Sequence, residues 1–547
     1  MNQNTKRRWL AALLGAAAGM VVFFLLYGTS TLHPTYDAWI LNGYDEWDIQ
    51  QHYAGWVLFR NSHWAFPLGL ADTIAAPDGT VISFTDSIPW ASIFFKALRG
   101  VLPSTFQWFG WYTLFCFAMQ GAAGALLCAR GQAKTGAGAL VFSTLGGLLF
   151  VMLPTLWERA FRHTALASQW LFLLALYAFL EYRQNLHSGT AKFIHPYFLP
   201  LVMMCALLAA VELGRQKKAW GRATLQFAAS LAAAVVGGIL CGAIGSGIGA
   251  SRSGYGDYSM NLNALINPTS RGGYTWSRLY QVMPQQPGQY DGFNYLGLGV
   301  LALITAALLF SLRRAVRCPQ NTKTWWHRNG PVFAACVFLT LFAVSNKIYW
   351  GNTGIELPLP AKLLELCGIF RSSGRMFYLV AACMVVYAVY TLRDRLPGRY
   401  AVLVLALFVG VQAFDLSAAA QQKRQKFADP INATVVNNDQ TASLGAGHTQ
   451  LLAAGEVRED RLRLLAILAG KQGLATNLDI AVSGSHPAAE ASRADTAARL
   501  AAGRYDPTAV YVTTDGATWE NWQAVFAGDD SLNFFVADSC YFMVPAV

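Results

Sequence analysis

The chain has 547 residues, of which 54% are hydrophobic and only 13% are charged, and its net charge is +11. Soluble globular domains carry about 25% charged residues, so this composition excludes an ordinary soluble protein. The basic excess lies in short loops between apolar segments, which indicates membrane topology and argues against nucleic-acid binding. The 9 cysteines lie mostly inside apolar segments, without the spacing of a disulfide framework or a zinc site.

Apolar segments long enough to cross about 30 Å of hydrocarbon recur along residues 1–416. The first follows Lys6-Arg7-Arg8 and is interpreted as a retained signal anchor with a cytoplasmic N-terminus. Basic loops between the spans place one more crossing near residues 183–197, which gives about eleven spans and an outward C-terminus. The other predicted spans are 9–27, 107–129, 137–153, 165–181, 195–212, 223–245, 295–312, 331–346, 375–391 and 400–416.

The predicted first outer loop, residues 28–104, holds seven acidic residues against three basic ones. Asp48 and His52 are four residues apart and would share one face of a helix. A carboxylate in such a place is a candidate general base for an acceptor hydroxyl, with Asp48 first and Asp45 and Asp86 as second choices. The alternative is that these residues cap and solvate helices at the membrane surface.

Arginines stand near the outward ends of several spans, against the usual charge bias of membrane proteins. The planar guanidinium suits phosphate binding, so these arginines are candidate phosphate ligands. Interfacial anchoring, or pairing with acids of the first loop, is the alternative. The candidate phosphate ligands are Arg159, Arg162, Arg371 and Arg375, and the candidate substrate-lining residues are Gln51, His52, Tyr53, Trp56, His163, His195 and Tyr197.

The composition changes after Asp415, where a polar segment begins. Helices are predicted at 458–468 and 488–502. Strands are predicted at 509–512, 533–536 and 541–544, the last two joined by a hairpin turn at 537–540. Residues 417–547 are therefore predicted to form a small extracytoplasmic α/β domain beside a transmembrane domain of residues 1–416.

Several motifs carry a resemblance to a known family. They are Asp48, Gln51-His52-Tyr53, Gly55-Trp56, Phe59-Arg60, Trp64, Pro67-Leu68-Gly69, Thr85-Asp86-Ser87-Ile88-Pro89, Phe106-Gln107-Trp108-Phe109-Gly110, His195-Pro196-Tyr197-Phe198, Gly292-Phe293-Asn294-Tyr295-Leu296-Gly297 and Phe370-Arg371-Ser372-Ser373-Gly374-Arg375. The chain resembles an uncharacterised bacterial polytopic membrane family related to the GT-C glycosyltransferases, over most of the membrane region. It departs from that pattern in a shorter segment before His195 and in Asp291, where glutamate is expected.

The resemblance implies a GT-C-like α-helical polytopic fold at the outer face of a bacterial inner membrane. It implies inverting transfer of a sugar from a polyprenyl-phosphate-linked donor to an envelope glycan, lipid or protein acceptor, with membrane lipids as further partners. Asp48 would be the base or a metal-linked carboxylate, and the arginines would neutralise the donor phosphate. Mg²⁺ and Mn²⁺ are the candidate cofactors because carboxylates are hard ligands. The alternatives are a transporter or flippase of an envelope lipid and a non-catalytic assembly partner.

Overall fold

The computed structural model describes residues 3–43, 48–132, 136–186, 199–245, 254–428, 434–481 and 486–546. Its helices are α1 (Gln3–Tyr27), α2 (Ala38–Leu41), α3 (Asp48–Phe59), α4 (Pro89–Ala97), α5 (Phe109–Ala129), α6 (Ala137–Val151), α7 (Pro154–Arg159), α8 (Trp170–Asn185), α9 (Leu199–Lys217), α10 (Trp220–Leu240), α11 (Leu298–Arg317), α12 (Pro319–Val344), α13 (Ala361–Gly368), α14 (Phe377–Arg395), α15 (Gly398–Asp415), α16 (Ser417–Lys426), α17 (Glu459–Gln472), α18 (Pro487–Ala501) and α19 (Gly516–Val525). Its strands are β1 (Leu70–Ala71), β2 (Thr80–Val81), β3 (Lys347–Trp350), β4 (Thr353–Glu356), β5 (Gln450–Ala453), β6 (Ala475–Thr476), β7 (Ala509–Thr513), β8 (Leu532–Ala537) and β9 (Cys540–Pro545).

A helical bundle dominates the chain. Among the described residues, 9 helices are long and apolar enough to cross a membrane, and α6 is a shorter apolar helix of 15 residues. Each overlaps one of the segments predicted to span. The helices α5 and α14 bury most of their surface inside the bundle, whereas α10 and α12 leave most of theirs exposed to the surroundings. The architecture is therefore that of a multi-pass membrane protein.

The first span is held by a close crossing with α5. Gly15 and Gly19 lie four residues apart on α1, facing backbone carbonyls of α5. A Cβ atom would lie 2.3 Å from the carbonyl oxygen of Gly121 if added to Gly15, and 2.1 Å from that of Phe117 if added to Gly19. Small residues at this spacing let two helix backbones approach closely. The crossing fixes where the first loop leaves the bundle.

One end of the bundle, called the basic end, collects the basic side chains at several helix termini. Arg183 near the end of α8 donates to the side chain of Asn329, and Arg215 near the end of α9 donates to the carbonyl of His327. The helices α8 and α9 therefore run parallel, as the charge pattern of the sequence required. The extra crossing falls largely on residues 187–198, which lie outside the described residues, so it stays a prediction.

The C-terminal region forms a five-stranded sheet of order β6-β5-β7-β9-β8. The strands β6, β5 and β7 are parallel, and β9 is antiparallel to both β7 and β8. The predicted helices and strands are confirmed as α17, α18, β7, β8 and β9. The predicted hairpin turn is also confirmed, with Asp538 and Ser539 both at positive φ, as type I′ turns require.

The sheet region packs on the first loop, at what is called here the domain end of the bundle. The helix α17 lies against α3, where a Cβ on Gly470 would come within 2.5 Å of the Val57 side chain. Lys471 forms an ion pair of 2.9 Å with Asp37 of the first loop. Contact with α17 on one face leaves the other face of α3 for the bundle, and that face carries Asp48 and His52.

Candidate functional site

The inner face of α3 meets the segment that leads into α8. The imidazole Nδ1 of His52 lies 3.0 Å from the hydroxyl of Thr164, and both groups are buried. One turn earlier, the carboxylate Oδ2 of Asp48 lies 3.6 Å from Nε2 of His163. The side chain of Asp48 retains 31% of its exposure, so it is accessible to a small molecule. The Asp48–His52 face predicted from spacing thus points at a second histidine.

A buried ion cluster, consisting of Arg159, Asp291 and Arg375, lies beside His163. Arg159 donates to Oδ1 and to the carbonyl oxygen of Asp291 at 2.6 Å each, and to the hydroxyl of Tyr378 at 2.9 Å. Arg375 donates to both carboxylate oxygens of Asp291, at 3.0 and 3.1 Å. Arg159 and Asp291 are almost fully buried, whereas Arg375 keeps 25% of its exposure. Arg375 is therefore the member of the cluster that can also meet a ligand.

The cluster fixes charge states around it. Burial by itself would raise the pKa of Asp291, but Arg159 and Arg375 outweigh it and hold that pKa well below its ordinary value. Burial, reinforced by the same arginines, lowers the pKa of His163 well below its ordinary value. Burial alone lowers the pKa of His52 to about 3. Both histidines are therefore neutral at physiological pH.

The tautomer of His163 follows from its partner. Arg159 Nη1 lies 3.2 Å from Nδ1 of His163, and a guanidinium only donates hydrogen bonds. The Nδ1 atom must therefore accept, and in a neutral ring the proton then sits on Nε2. That Nε2–H group is the one directed at Asp48. The ion cluster and the carboxylate of α3 are thus linked through one oriented imidazole.

Asp86 approaches the same place on a strained turn. Asp86 and Ile88 both have positive φ values, 54° and 50°, which side chains other than glycine rarely adopt. The turn packs so tightly on α3 that a Cβ on Gly55 would lie 2.3 Å from the Thr85 hydroxyl. Asp86 forms no hydrogen bond or ion pair with the described part of the chain. Strain at an unpartnered acid is typical of functional sites.

The pKa of Asp86 is raised by burial, although the nearby Arg375 and Arg371 partly oppose that rise. Arg371 lies over the ring of Tyr258, 5.4 Å from its centre, and has no hydrogen bond or ion pair among the described residues. Arg162 is buried and bonded to Glu158. Of the four predicted phosphate ligands, Arg371 and Arg375 are therefore the two with guanidinium groups available to a bound anion.

Other predicted site residues have different positions. The hydroxyl of Tyr53 donates to Asp37, and Nε1 of Trp56 donates to the carbonyl of Phe106, with both rings fully buried. Gln51 is buried, and its Nε2 atom has no partner among the described residues. In this structure Tyr53 and Trp56 hold α3 in place through these hydrogen bonds. Asp45, His195 and Tyr197 lie outside the described residues.

Asp291 is the central residue of the cluster, and it was not among the predicted site residues. Its position was noted only as a departure from the family pattern, and pairing of the arginines with acids of the first loop was the alternative to phosphate binding. The structure instead bonds Arg375 to Asp291, while Asp86 of the first loop acts on both arginines only at longer range. The sequence signal that could have identified Asp291 is its position, in a predicted outer loop directly before the Gly292-Phe293-Asn294-Tyr295 motif.

A metal ion was a further expectation, centred on Asp48. Within the described ranges, no three His, Cys, Asp or Glu side chains lie close enough together to bind one ion. Asp45 and Glu46, the nearest further acids along the chain, lie outside those ranges. The described donors do not form a metal site by themselves.

Two family models match the chain. That of DUF6311, a domain of unknown function, matches residues 16–417, and that of the DUF6311 C-terminal domain matches residues 440–545. No curated protein and no solved structure is similar enough to match. Because the first match alone covers most of the sequence, the chain belongs to the DUF6311 family.

Proposed function

We propose that this protein is a membrane glycosyltransferase that moves a sugar from a polyprenyl-phosphate-linked donor to a cell-envelope acceptor. The main support is one arrangement at the domain end. Two carboxylates, the partly exposed Asp48 and the more enclosed Asp86, lie near a buried cluster from which Arg375 reaches outward, with Arg371 close by. Acids for proton transfer and arginines for a phosphate are the groups that such a reaction needs.

The proposed orientation places the basic end in the cytoplasm and the domain end on the outer side. The positive-inside rule supports this orientation, since Arg130, Arg183, Arg215 and Arg393 gather at the basic end. The candidate site then faces the periplasm of a bacterial inner membrane. A lipid-linked donor would reach it from the outer leaflet.

In an inverting transfer, the acceptor hydroxyl attacks the anomeric carbon on the face opposite the leaving phosphate. The new bond joins the hydroxyl oxygen to that carbon, the bond from carbon to phosphate oxygen breaks, and the electron pair leaves with polyprenyl phosphate. The hydroxyl proton passes to a carboxylate. Asp48 suits this task because it is partly exposed and lies beside the neutral His163, whereas the charges of Arg375 and Arg371 act on Asp86.

Asp86 then has a different task in the proposal. Burial raises its pKa, so Asp86 takes up a proton more readily than an exposed aspartate, and a phosphate bound between the two arginines would meet less repulsion from it. Arg371 and Arg375 supply positive charge to the leaving phosphate, and a fixed positive charge in a partly dry site stabilises developing negative charge strongly. The sugar and the acceptor are left open, because a fold does not determine them.

The test uses a deletion strain complemented with full-length variants, analysed by mass spectrometry of envelope glycans and lipid-linked sugars. Asp48→Asn should reduce transfer about 10²–10⁴-fold, the usual contribution of a general base, with the protein still in the membrane. One envelope glycan should then be lost and its lipid-linked donor should accumulate. Asp72→Asn, which alters an exposed acid of the same loop, should leave the glycan unchanged.

Full glycan in Asp48→Asn, Asp45→Asn and Asp86→Asn alike would show that the protein is not this enzyme. A transporter gives another pattern, in which the accumulated lipid-linked sugar stays inaccessible to reagents added from the periplasm. Unchanged lipid-linked sugars in a deletion strain would instead favour the non-catalytic assembly role.

A further inference from the structure

Two aromatic rings with an arginine at each end form a row that leads away from the ion cluster across the domain end. Arg371 lies 5.4 Å from the ring centre of Tyr258, whose ring lies 6.1 Å from that of Tyr290. Arg271 in turn lies 5.1 Å from the ring centre of Tyr290 and donates to its hydroxyl at 3.1 Å. The two tyrosines are partly exposed and Arg271 is exposed, so the row faces solvent.

The row is built onto the candidate site. Tyr290 immediately precedes Asp291 in the sequence. The carbonyl of Tyr258 accepts a hydrogen bond of 3.2 Å from the backbone of Gly374, the residue before Arg375. Both rings are therefore fixed to the segments that supply the ion cluster. A ligand lying along the row would have one end at Arg371, beside Asp86 and Arg375.

We infer that Arg271, Tyr290, Tyr258 and Arg371 form a binding site for an anionic saccharide. This inference rests on the proposed function and assigns the row to the saccharide of the donor, whose phosphate would lie at Arg371. The apolar C–H face of a sugar ring packs on the electron-rich face of a tyrosine. Arginine binds carboxylate and phosphate groups through its planar fork. Arg371 has no anionic partner of its own among the described residues, so an acidic group of the ligand would supply one.

The spacing within the row favours a short oligosaccharide over a small anion. Each step from cation to ring or from ring to ring measures 5–6 Å. A single phosphate would engage one arginine and neither ring. The two tyrosine rings stand at 78° to each other, so a chain of sugar rings can instead contact both rings in succession and place an acidic group at Arg371. The shared chemistry is a negative charge carried on a sugar, whether a carboxylate or a phosphate.

The test measures binding by isothermal titration calorimetry to the full-length protein in detergent. The probes are trigalacturonate, the neutral trigalactose of equal length, and glucose 1,6-bisphosphate as a phosphate-bearing sugar. At least one anionic probe should bind at least 10-fold more tightly than trigalactose. Which one does so distinguishes carboxylate from phosphate recognition. Equal affinity for all three probes, or no binding of either anionic probe, would overturn the inference.

Variants test the row itself. Arg271→Gln and Tyr258→Ala should each weaken the anionic probe at least 10-fold, whereas Tyr258→Phe, which keeps the ring, should retain most of the affinity. Arg278→Gln is the matched control, because Arg278 also lies over an aromatic ring at the domain end but outside the row. Wild-type affinity in Arg271→Gln and Tyr258→Ala would refute the assignment.

The same variants separate this inference from the proposed function. Asp48→Asn should bind the anionic probe like wild type, because Asp48 lies outside the row. If the Asp48→Asn strain keeps the envelope glycan while Arg271→Gln no longer binds the anionic probe, the saccharide site is supported and the transferase proposal is refuted. If Asp48→Asn loses the glycan while Arg271→Gln keeps the probe, the reverse holds.

Discussion

Replacing Asp291 with asparagine should destabilise the protein more than replacing any exposed acid at the same end. Asparagine keeps the shape of the side chain but removes the charge that Arg159 and Arg375 share. Arg159 retains only 2% of its side-chain exposure, so water cannot replace the lost carboxylate. Removing one partner of a buried ion pair costs about 3–5 kcal/mol. The change also leaves two like charges facing each other.

The free-energy loss in Asp291→Asn can be converted into a change in melting temperature. An unfolding entropy of about 2.1 cal/mol/K per residue makes 1 kcal/mol equivalent to about 1 °C for a chain of this length. We therefore expect Asp291→Asn to lower the apparent melting temperature in detergent by about 3–5 °C. Asp257→Asn is the matched control, since its ion pair with Lys347 is 31–49% exposed. An exposed pair contributes about 0–1 kcal/mol, so this control should shift by no more than about 1 °C.

A second substitution tests the cause. In the Asp291→Asn background, Arg159→Gln removes the uncompensated buried charge and should recover part of the loss in melting temperature. Further destabilisation by Arg159→Gln would refute the electrostatic reasoning, as would equal shifts in Asp291→Asn and Asp257→Asn. Since the pKa of Asp291 is depressed in the folded state, its contribution should be complete above about pH 4 and lost at lower pH.

Three further predictions concern the surroundings of the site. His52, with a pKa lowered to about 3, stays neutral when folded but binds a proton when unfolded below about pH 6.5. Its burial should therefore lower the stability by about 2 kcal/mol between pH 7 and pH 5. The fall seen in thermal melts should be about 2 kcal/mol smaller in His52→Asn than in wild type or in the exposed control His33→Asn, and the buried His163 should account for a fall that remains in His52→Asn. Gly55→Ala should abolish complementation by displacing the Asp86 turn, because its Cβ would lie 2.3 Å from a hydroxyl oxygen, whereas Gly410→Ala, in open space, should complement fully. Lys471→Ala removes the 2.9 Å ion pair with Asp37 of the first loop and should speed proteolytic release of the C-terminal domain. An unchanged cleavage rate would show that this ion pair does not hold the C-terminal domain on the first loop.

The parts of the fold predicted from sequence are those set by local pattern. Span length and hydropathy located the membrane helices, since each needs only its own apolar residues. The hairpin at Asp538 and Ser539 was equally local, because its strands are adjacent in the sequence. The parallel direction of α8 and α9 could be predicted because both end at basic residues, although consecutive spans should run in opposite directions. That prediction needs only a count of spans and basic loops.

The centre of the site depended on contacts between distant segments. Arg159 and Asp291 are 132 residues apart, and no spacing rule pairs them. Tyr53 and Trp56 were predicted to line the site because aromatic residues often bind sugars. The sequence could not show which side of α3 meets the bundle, and both rings are used for packing.

The energetics of the site favour a functional origin for its arrangement. Asp86, Ile88 and Phe161 adopt left-handed backbone conformations that are unfavourable for their side chains, and Phe161 lies two residues before His163. Asp86 adds a carboxylate whose pKa is raised by burial, so its ionised form opposes folding at neutral pH. A turn selected only for stability would relieve that strain with glycine and would replace the acid. Asp86→Asn should therefore preserve or raise the melting temperature while transfer is lost, whereas a lower melting temperature would assign Asp86 a structural role.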